Sequence, residues 1–399
     1  MIDWTLIGPF VLVTILVALL FDFYNGLHDA ANSIATVVAT RALPVWAALL
    51  LAGSFNFIGA FAGTAVAAAV GSGIIAKSVV TPEVILAALA GAIFWSVLTI
   101  FLGIPISSSQ SLIGGLVGAA LAKAGMAGVQ WPTLVDLETV ARPMALGALV
   151  GIAGGIALAR LSRTNVWAGF WLGASVGSAI LLVWDIFHGL KIQKLLAIVL
   201  FIGYSPFLGF CLAFTFTATI AWLFRRASPG KTKGLFRWLQ IGSSSFYSFG
   251  HGTNDAQKTM GVITALMIAV GAVQQTSDGK FPVPSEVIFA SGLMIALGTL
   301  IGGYKIVKTM GTKLTHLDTS QGFAAETSSA IGLYYLAGFG VPVSTTHSIT
   351  GAIMGVGAFQ RASAVSWGTA RRIVSAWIIT IPMAAIVAAF CYWVIDLIR

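Results

Sequence analysis

Charge is scarce in this sequence. Of 399 residues, 9% are Asp, Glu, Lys or Arg, where a soluble globular protein carries about 25%. A chain so poor in charge cannot cover a water-facing surface, which excludes a soluble enzyme, a nucleic-acid binder and a disordered scaffold. Cysteine is nearly absent. Cys211 and Cys391 each sit inside an apolar segment, so neither a disulfide framework nor a thiolate metal site is indicated. Acidic residues are the scarcest charge, 13 against 22 basic, for a net +9. In a soluble chain that balance would point to nucleic acid. Here the basic residues are scattered between apolar runs, as loop anchors against an anionic cytoplasmic leaflet would be. The start of the chain has no basic cluster: Asp3 is followed by an apolar run from Trp4 to Phe21, which is expected to be a retained first span and not a cleavable signal.

What the sequence does have is apolar surface and small residues. Hydrophobic residues make up 58%, with 45 Gly, 25 Phe and 12 Trp, and the mean hydropathy is +0.94. Glycine lets helix backbones approach closely in lipid, and aromatic rings settle at the membrane interfaces. The expected fold is an all-α polytopic membrane protein embedded in a lipid bilayer. At about 20 residues per span the length allows about 10–12 transmembrane segments. Apolar stretches run over 4–38, 44–70, 84–122, 142–160, 166–188 and 194–224, then 238–272, 285–303, 321–360 and 372–395. Several exceed one straight span and contain Pro or Gly clusters. Broken or re-entrant helices are therefore expected, with their irregular backbone buried or lining a cavity.

The most polar connection holds Arg225, Arg226, Lys231, Lys233 and Arg237 with no acidic residue, and the positive-inside tendency makes it cytoplasmic. It divides the chain into 1–224 (a first repeat plus intervening helices), a basic loop at 225–237, and a second repeat at 238–399. The two parts resemble each other. Asn25–Ser33 aligns without gaps to His251–Thr259, and Gly103–Ser111 to Gly340–Ser348, with Gly114 and Gly118 opposite Gly351 and Gly355. Two motifs recurring in one order indicate internal duplication, a mark of secondary transporters that bind substrate at the repeat interface.

Asp22, Asn25, Asp29 and Asn32 fall at i, i+3, i+7 and i+10, on one helical face. Carboxylate and amide oxygens in that pattern suit a small hard cation or a titratable proton, although Asp22 and Asn25 also read as a solvated helix end. The second copy offers His251, Asp255 and Lys258 on one face, flanked by Asn254 and Gln257. Lys258 is either an ion-pair partner of Asp255 or Asp29, or a balance for substrate charge. The hydroxyl triplets Ser107–Ser109 and Ser344–Thr346 each follow Gly-x-Pro and precede a helical run. Proline ends the incoming segment and hydroxyl residues cap the outgoing one. The free N–H groups of two such helix ends would surround a tetrahedral oxyanion with neutral donors. Gln110 and His347 hold equivalent places. His347 reads as a strut between helices before it reads as a proton carrier. Glu326 is the one Glu deep in an apolar stretch, either an ion or proton site or a partner for Lys305, Lys308 or Lys313. Asp185 with His188, near Lys191 and Lys194, marks a membrane edge.

At these residues the chain resembles the inorganic phosphate transporter (PiT) family. The resemblance rests on Gly26-Leu27-His28-Asp29-Ala30-Ala31-Asn32, Asn254-Asp255-Ala256-Gln257-Lys258, Pro105-Ile106-Ser107-Ser108-Ser109-Gln110 and Pro342-Val343-Ser344-Thr345-Thr346-His347. It implies two inverted repeats, each with a re-entrant hairpin tipped by a hydroxyl triplet, phosphate between the tips, and cations on the Asp/Asn helices. Glu326 matches a second-repeat glutamate implicated in transport. Gln110 departs from the histidine common in the first repeat. Asn56 replaces the Glu of sodium-coupled animal members, which makes the chain more similar to the bacterial low-affinity, proton-coupled branch. That branch carries phosphate as a neutral divalent-metal complex, and some bacterial members carry sulfate.

The expected function is therefore phosphate import across a bacterial inner membrane by H⁺ symport and alternating access, with no catalytic residue, resident metal or cofactor. Ser107, Ser108, Ser109, Ser344, Thr345 and Thr346 would bind phosphate. Asn25, Asp29, Asn32, Asn254, Asp255 and Gln257, with Glu326 nearby, would form the coupling-ion region. Alternatives of the same architecture are Na⁺ coupling or sulfate as substrate. An anion channel is the alternative from another class. Glycine-rich faces permit a homodimer without requiring one.

Overall fold

The computed structural model describes residues 2–161, 166–187, 194–274, 281–337 and 343–398. Fourteen α-helices are present among them: α1 (Pro9–Ala39), α2 (Val45–Gly59), α3 (Ala65–Ser72), α4 (Pro82–Leu102), α5 (Ser108–Ala124), α6 (Leu134–Leu161) and α7 (Val166–Phe187), then α8 (Lys194–Leu223), α9 (Pro229–Ala269), α10 (Ser285–Ile301), α11 (Tyr304–Lys308), α12 (Thr319–Ala337), α13 (Thr345–Gln360) and α14 (Trp367–Ile398). The described residues contain no β-strand, only one isolated bridge between Ile75 and Val129. The chain is all-α. Six of these helices are long and apolar enough to cross a membrane, and a seventh span results if α10 and the Tyr304–Lys313 segment, bent by 63°, are counted as one. Helices α2, α3, α11 and α13 are short, and α9 carries the polar face described below.

Local chemistry explains the helix ends. Pro9, Pro82 and Pro229 occupy first helical turns, where their missing N–H is not needed. Gly103 ends α4 in the left-handed conformation, φ 66°, with the Gly103 and Ile104 N–H groups closing on Ile100 and Thr99 carbonyls, a glycine-dependent stop. Pro105 follows it and Ser107 opens α5. The link between α8 and α9 is shorter than the basic stretch 225–237: α9 begins at Pro229, because an extended Ser228 followed by proline initiates the helix. Gly340, Val341 and Pro342 of the second tip, like His188 and Lys191, lie outside the described residues.

The helices form two compact units, 1–130 with 205–399, and 131–204. The smaller unit is built on α6 and α7. Gly147 and Gly151 of α6 meet Gly177 and Gly173 of α7 so closely that a Cβ at any of the four would strike the facing carbonyl, the close approach that small residues permit in lipid. Val140, Leu182 and Leu196 complete its core.

In the larger unit the two repeats interlock. Gly26 of α1 lies against the Ile295 carbonyl of α10, and its counterpart Gly252 of α9 lies against the Asn56 carbonyl of α2. Gly114 and Gly118 of α5 abut Ile381 and Ala385 of α14. Gly351 and Gly355 of α13 abut Pro206 and Phe210 of α8 in the same way. Each contact thus has a twin, and α8 is the twin of α14. No counterpart of the 131–204 unit separates α13 from α14.

Candidate functional site

Helix α1 supplies the first wall of the site. Asp22, Asn25, Asp29 and Asn32 are all at most 1% exposed, so the solvated reading of Asp22 and Asn25 is set aside. The second wall is α9, whose His251, Asn254, Asp255 and Lys258 are equally buried. Between these walls stand the N-termini of α5 and α13, capped by the paired residues Ser107 and Ser344. Ser107 accepts the Gln110 N–H at 3.4 Å, and Ser344 accepts the His347 N–H at 3.2 Å. With capping assigned to the first hydroxyl of each triplet, the others are free to face the walls.

They do so in matched fashion. The Ser108 hydroxyl donates to Asp29 Oδ2 at 3.1 Å, and its counterpart Thr345 donates to Asp255 Oδ2 at 3.1 Å. Thr346 reaches the other Asp29 oxygen at 3.4 Å. Asn32 donates to Thr346 Oγ1 at 2.9 Å and to Thr345 Oγ1 at 3.4 Å. Asn254 holds the second tip from below, donating to the Val343 carbonyl at 2.8 Å and to Asp255 at 3.0 Å. Both tips therefore meet around one pair of carboxylates. Ser109 is buried beside them, 5% exposed.

Cationic and titratable groups close the cluster. His251 Nε2 lies 3.0 Å from Asp255 Oδ2 and 4.0 Å from Asp29 Oδ2, and its Nδ1 lies 3.2 Å from Asn56 Oδ1. Lys258 pairs with Asp255. His28 Nδ1 is 2.7 Å from Asp29 Oδ1. Asp29, His251 and Asp255 each present a ligand atom, all within 4.8 Å of one another, a spacing at which one hard ion can touch all three. Two carboxylates, one ammonium and two imidazoles buried together can accept a cation and an oxyanion together.

Two expected residues stand elsewhere. Gln257 turns from the cluster: its Oε1 accepts the Val66 and Ala67 N–H groups at 2.8 and 3.3 Å, satisfying the start of α3. Glu326 on α12 accepts hydroxyls from Thr36 of α1 and Ser243 of α9, and none of the three lysines weighed for it is its partner. Thr36 is seven residues beyond Asp29 and Thr40 is four further. Thr40 donates to Gln240 Oε1 at 2.8 Å and lines a cavity of about 630 Å³ with Lys233, Thr232, Asp318 and Ser320. His347 stacks on Trp377 with ring centres 3.8 Å apart, the strut arrangement.

The sequence reading passed over Tyr247, whose hydroxyl donates to the Thr345 carbonyl at 3.2 Å, and Thr36 and Ser243. A helical stripe would have found them. Ser243, Tyr247, His251 and Asp255 recur at i+4 on α9, and Thr36 extends the stripe of Asp22 and Asp29.

Comparison with known proteins decides the family. The profile of the Phosphate transporter family matches residues 25–171 and 169–388. The chain belongs to the Phosphate transporter family. It is 45% identical over 397 residues, 99% of each chain, to a "Probable low-affinity inorganic phosphate transporter" of Rhizobium meliloti. It is 35% identical to a protein of the same description in Bacillus subtilis, covering 97% of both. Among solved structures it resembles "The sodium-dependent phosphate transporter" with TM-score 0.69 and 25% identity, over 98% of this chain and 100% of that one. This member of the Phosphate transporter family is a multi-pass membrane protein and not an enzyme.

Proposed function

We propose that this chain imports inorganic phosphate across a bacterial inner membrane by symport with H⁺, through alternating access. The observation that carries the reading is the meeting of both hydroxyl tips on the Asp29–Asp255 pair. Bound phosphate would take over the donors of Ser108, Ser109, Thr345 and Thr346 and the free N–H groups of α5 and α13. Asp29 and Asp255, released from the hydroxyls, would then turn to cations. Asn32 and Asn254 hold the geometry during the exchange. Neutral donors suit a carrier, since a phosphate gripped by several arginines would leave slowly.

Charge argues for what accompanies the anion. Asp29 and Asp255 outnumber Lys258, and a phosphate dianion entering this dry space adds two more negative charges. A proton on His251, which faces both carboxylates, would offset part of that. A divalent metal arriving with phosphate as a neutral complex would offset the rest, touching Asp29 and Asp255. Sodium coupling is the second reading, favoured by the likeness to a solved sodium-dependent phosphate transporter. The positive-inside tendency of Arg225, Arg226 and Lys233 supports a cytoplasmic mouth for the cavity beside Thr40, so phosphate would leave past Glu326 and Gln240.

Uptake of labelled phosphate into proteoliposomes tests this under separate inward H⁺ and Na⁺ gradients, each with and without Mg²⁺. The expected result is H⁺-driven uptake that Mg²⁺ increases. Uptake driven by Na⁺ and indifferent to pH would favour the second reading. Equal competition by sulfate would change the substrate, and flux that ignores both gradients would indicate a channel.

A further inference from the structure

The kinship of α1 and α9 extends upstream of the motif they share. With Asp29 opposite Asp255, Phe21 falls opposite Tyr247 and Phe23 opposite Phe249. The packing keeps that register: Gly298 of α10 lies against the Phe23 carbonyl, and Gly59 of α2 lies against the Phe249 carbonyl. Phe21 and Tyr247 are 1% and 0% exposed, the two largest side chains so fully buried among the described residues. Each stands eight residues before its motif aspartate, about 12 Å along the helix. The two helices run antiparallel. Ser244 donates to the Ser33 carbonyl at 3.0 Å, Thr40 donates to Gln240, and Thr259 stands against Asp22. The two rings therefore lie on opposite sides of the carboxylate pair, Tyr247 toward the cavity beside Thr40 and Phe21 away from it. The same pairing sets Tyr247 level with Ile34 and Phe21 level with Met260, which are themselves counterparts and both buried.

We propose that Phe21 and Tyr247 are the two gates of the phosphate path, an assignment that rests on the alternating-access reading above and gives its barriers to named side chains. Each ring closes one side of the centre formed by Asp29, Asp255 and the hydroxyl tips. An aromatic ring suits the task. It fills a helix crossing, carries no charge to hold or repel the anion, and leaves by a change of rotamer. With both rings buried, the centre is closed on both sides in this conformation. The gates differ by one oxygen. Tyr247 donates its hydroxyl to the Thr345 carbonyl at 3.2 Å, and Thr345 in turn donates to Asp255. The inner ring is thus tied to a tip residue that phosphate engages, whereas Phe21 has no group to form such a bond. Beyond Tyr247 the path is polar, with Thr36, Ser243 and Thr40. At the matching outer positions stand Val262, Val17 and Leu266. Loading of the tips loosens the Tyr247 tether and opens the hydroxyl-lined inner half, while apolar contact keeps the outer half shut.

Side-specific chemical access to the centre tests the gates apart from transport. Ser109→Cys places a thiol at the first tip, and Cys211→Ser with Cys391→Ser removes the native thiols. A membrane-impermeant methanethiosulfonate is applied to right-side-out and to inverted membrane vesicles, and the labelling rate is read from each side. With both gates intact, labelling is expected to be slow from either side. Phe21→Ala is expected to speed it about tenfold from the outer side alone, and Tyr247→Ala about tenfold from the cytoplasmic side alone. Tyr247→Phe keeps the ring and cuts the tether, so a smaller rise on the cytoplasmic side is expected. Phe21→Leu should give a smaller rise on the outer side, and these two variants serve where an alanine variant fails to fold. A scaffold role would raise labelling equally from both sides. That result, unchanged rates in folded variants, or the two sides exchanged would each overturn the proposal. Gradient-driven phosphate uptake by the wild type is measured separately, and its absence alongside side-specific labelling overturns the symport reading alone. A thiol that reacts rapidly from both sides with both gates intact overturns the two together.

Discussion

Ser108 donates its hydroxyl to Asp29 at 3.1 Å, and the other repeat reproduces that bond between Thr345 and Asp255 at the same length. The pairing shows what the duplication achieves. Each half contributes one acidic helix and one hydroxyl-tipped helix end, and each tip rests on its own repeat's carboxylate until a ligand arrives. The cross-contacts from Thr346 to Asp29 and from Asn32 to both threonines tie the halves together.

Removing the two matched hydroxyls therefore tests phosphate binding without uncapping the helices, because Ser107 and Ser344 do the capping. A hydrogen bond to a charged group contributes about 1.5–3 kcal/mol. The double variant Ser108→Ala, Thr345→Ala is expected to raise the half-saturating phosphate concentration by about two orders of magnitude, read from uptake kinetics in proteoliposomes. An unchanged phosphate response would reduce the triplets to structural caps.

Asp29→Asn and Asp255→Asn should each abolish gradient-driven uptake while the protein still elutes as a folded species in detergent. Asn keeps the shape and one acceptor but removes the charge that His251 and Lys258 face. Leaving those cations buried and unpaired costs about 3–5 kcal/mol, so a lowered thermal midpoint should accompany the loss of transport. Normal uptake in both variants would remove the pair from the mechanism.

How much of this was readable beforehand follows from helix geometry. The Asp22-to-Asn32 stripe and the Gly-x-Pro-hydroxyl tips are local patterns, and each folds as its spacing implies. Gln257 is the instructive exception. Standing two residues from Asp255, it points to the opposite side of α9, and there it serves the α3 N-terminus. Its motif membership suggested a shared role, whereas its position on the helix gives it a different partner. The partners of Glu326 were illegible because Thr36 and Ser243 lie 290 and 83 residues away, and no local pattern encodes such a contact. The separation of 131–204 as its own unit was equally hidden, since its apolar helices look like all the others.

Gln257→Ala follows from that geometry. It should cost about 1 kcal/mol by uncapping α3, visible as a small fall in thermal midpoint. The half-saturating phosphate concentration should stay within about twofold of wild type. A large transport defect with intact stability would return Gln257 to the ion region.

Glu326 accepts from Thr36 and Ser243, and Thr36 falls along α1 between Asp29 and the cavity-lining Thr40. Glu326→Gln keeps the size, but one carboxylate oxygen becomes an amide that must donate where a hydroxyl was donating. If phosphate leaves along this route, the maximal uptake rate should fall by about tenfold, the effect of roughly 1.4 kcal/mol on a barrier. The half-saturating concentration should change little, because Glu326 does not touch the tips. A change confined to half-saturation would place Glu326 at the binding step.

Two glycines on α9 give the interlocked packing its own test, with opposite signs on one helix. Gly242 has open space where a Cβ would stand, whereas a Cβ on Gly252 would run into the backbone of Asn56. Alanine favours helix over glycine by about 0.8–1.0 kcal/mol, so Gly242→Ala should raise the thermal midpoint slightly. At Gly252 the same gain is outweighed, because the obstacle is backbone and cannot rotate away, and forced overpacking costs about 1–3 kcal/mol or more. Gly252→Ala should therefore lower the midpoint. It should also weaken transport, since α2 holds His251 through Asn56 at this crossing. Equal midpoints for the two variants in detergent would mean that α2 and α9 are not in contact as described, and the symmetry argument for the paired site would lose its footing.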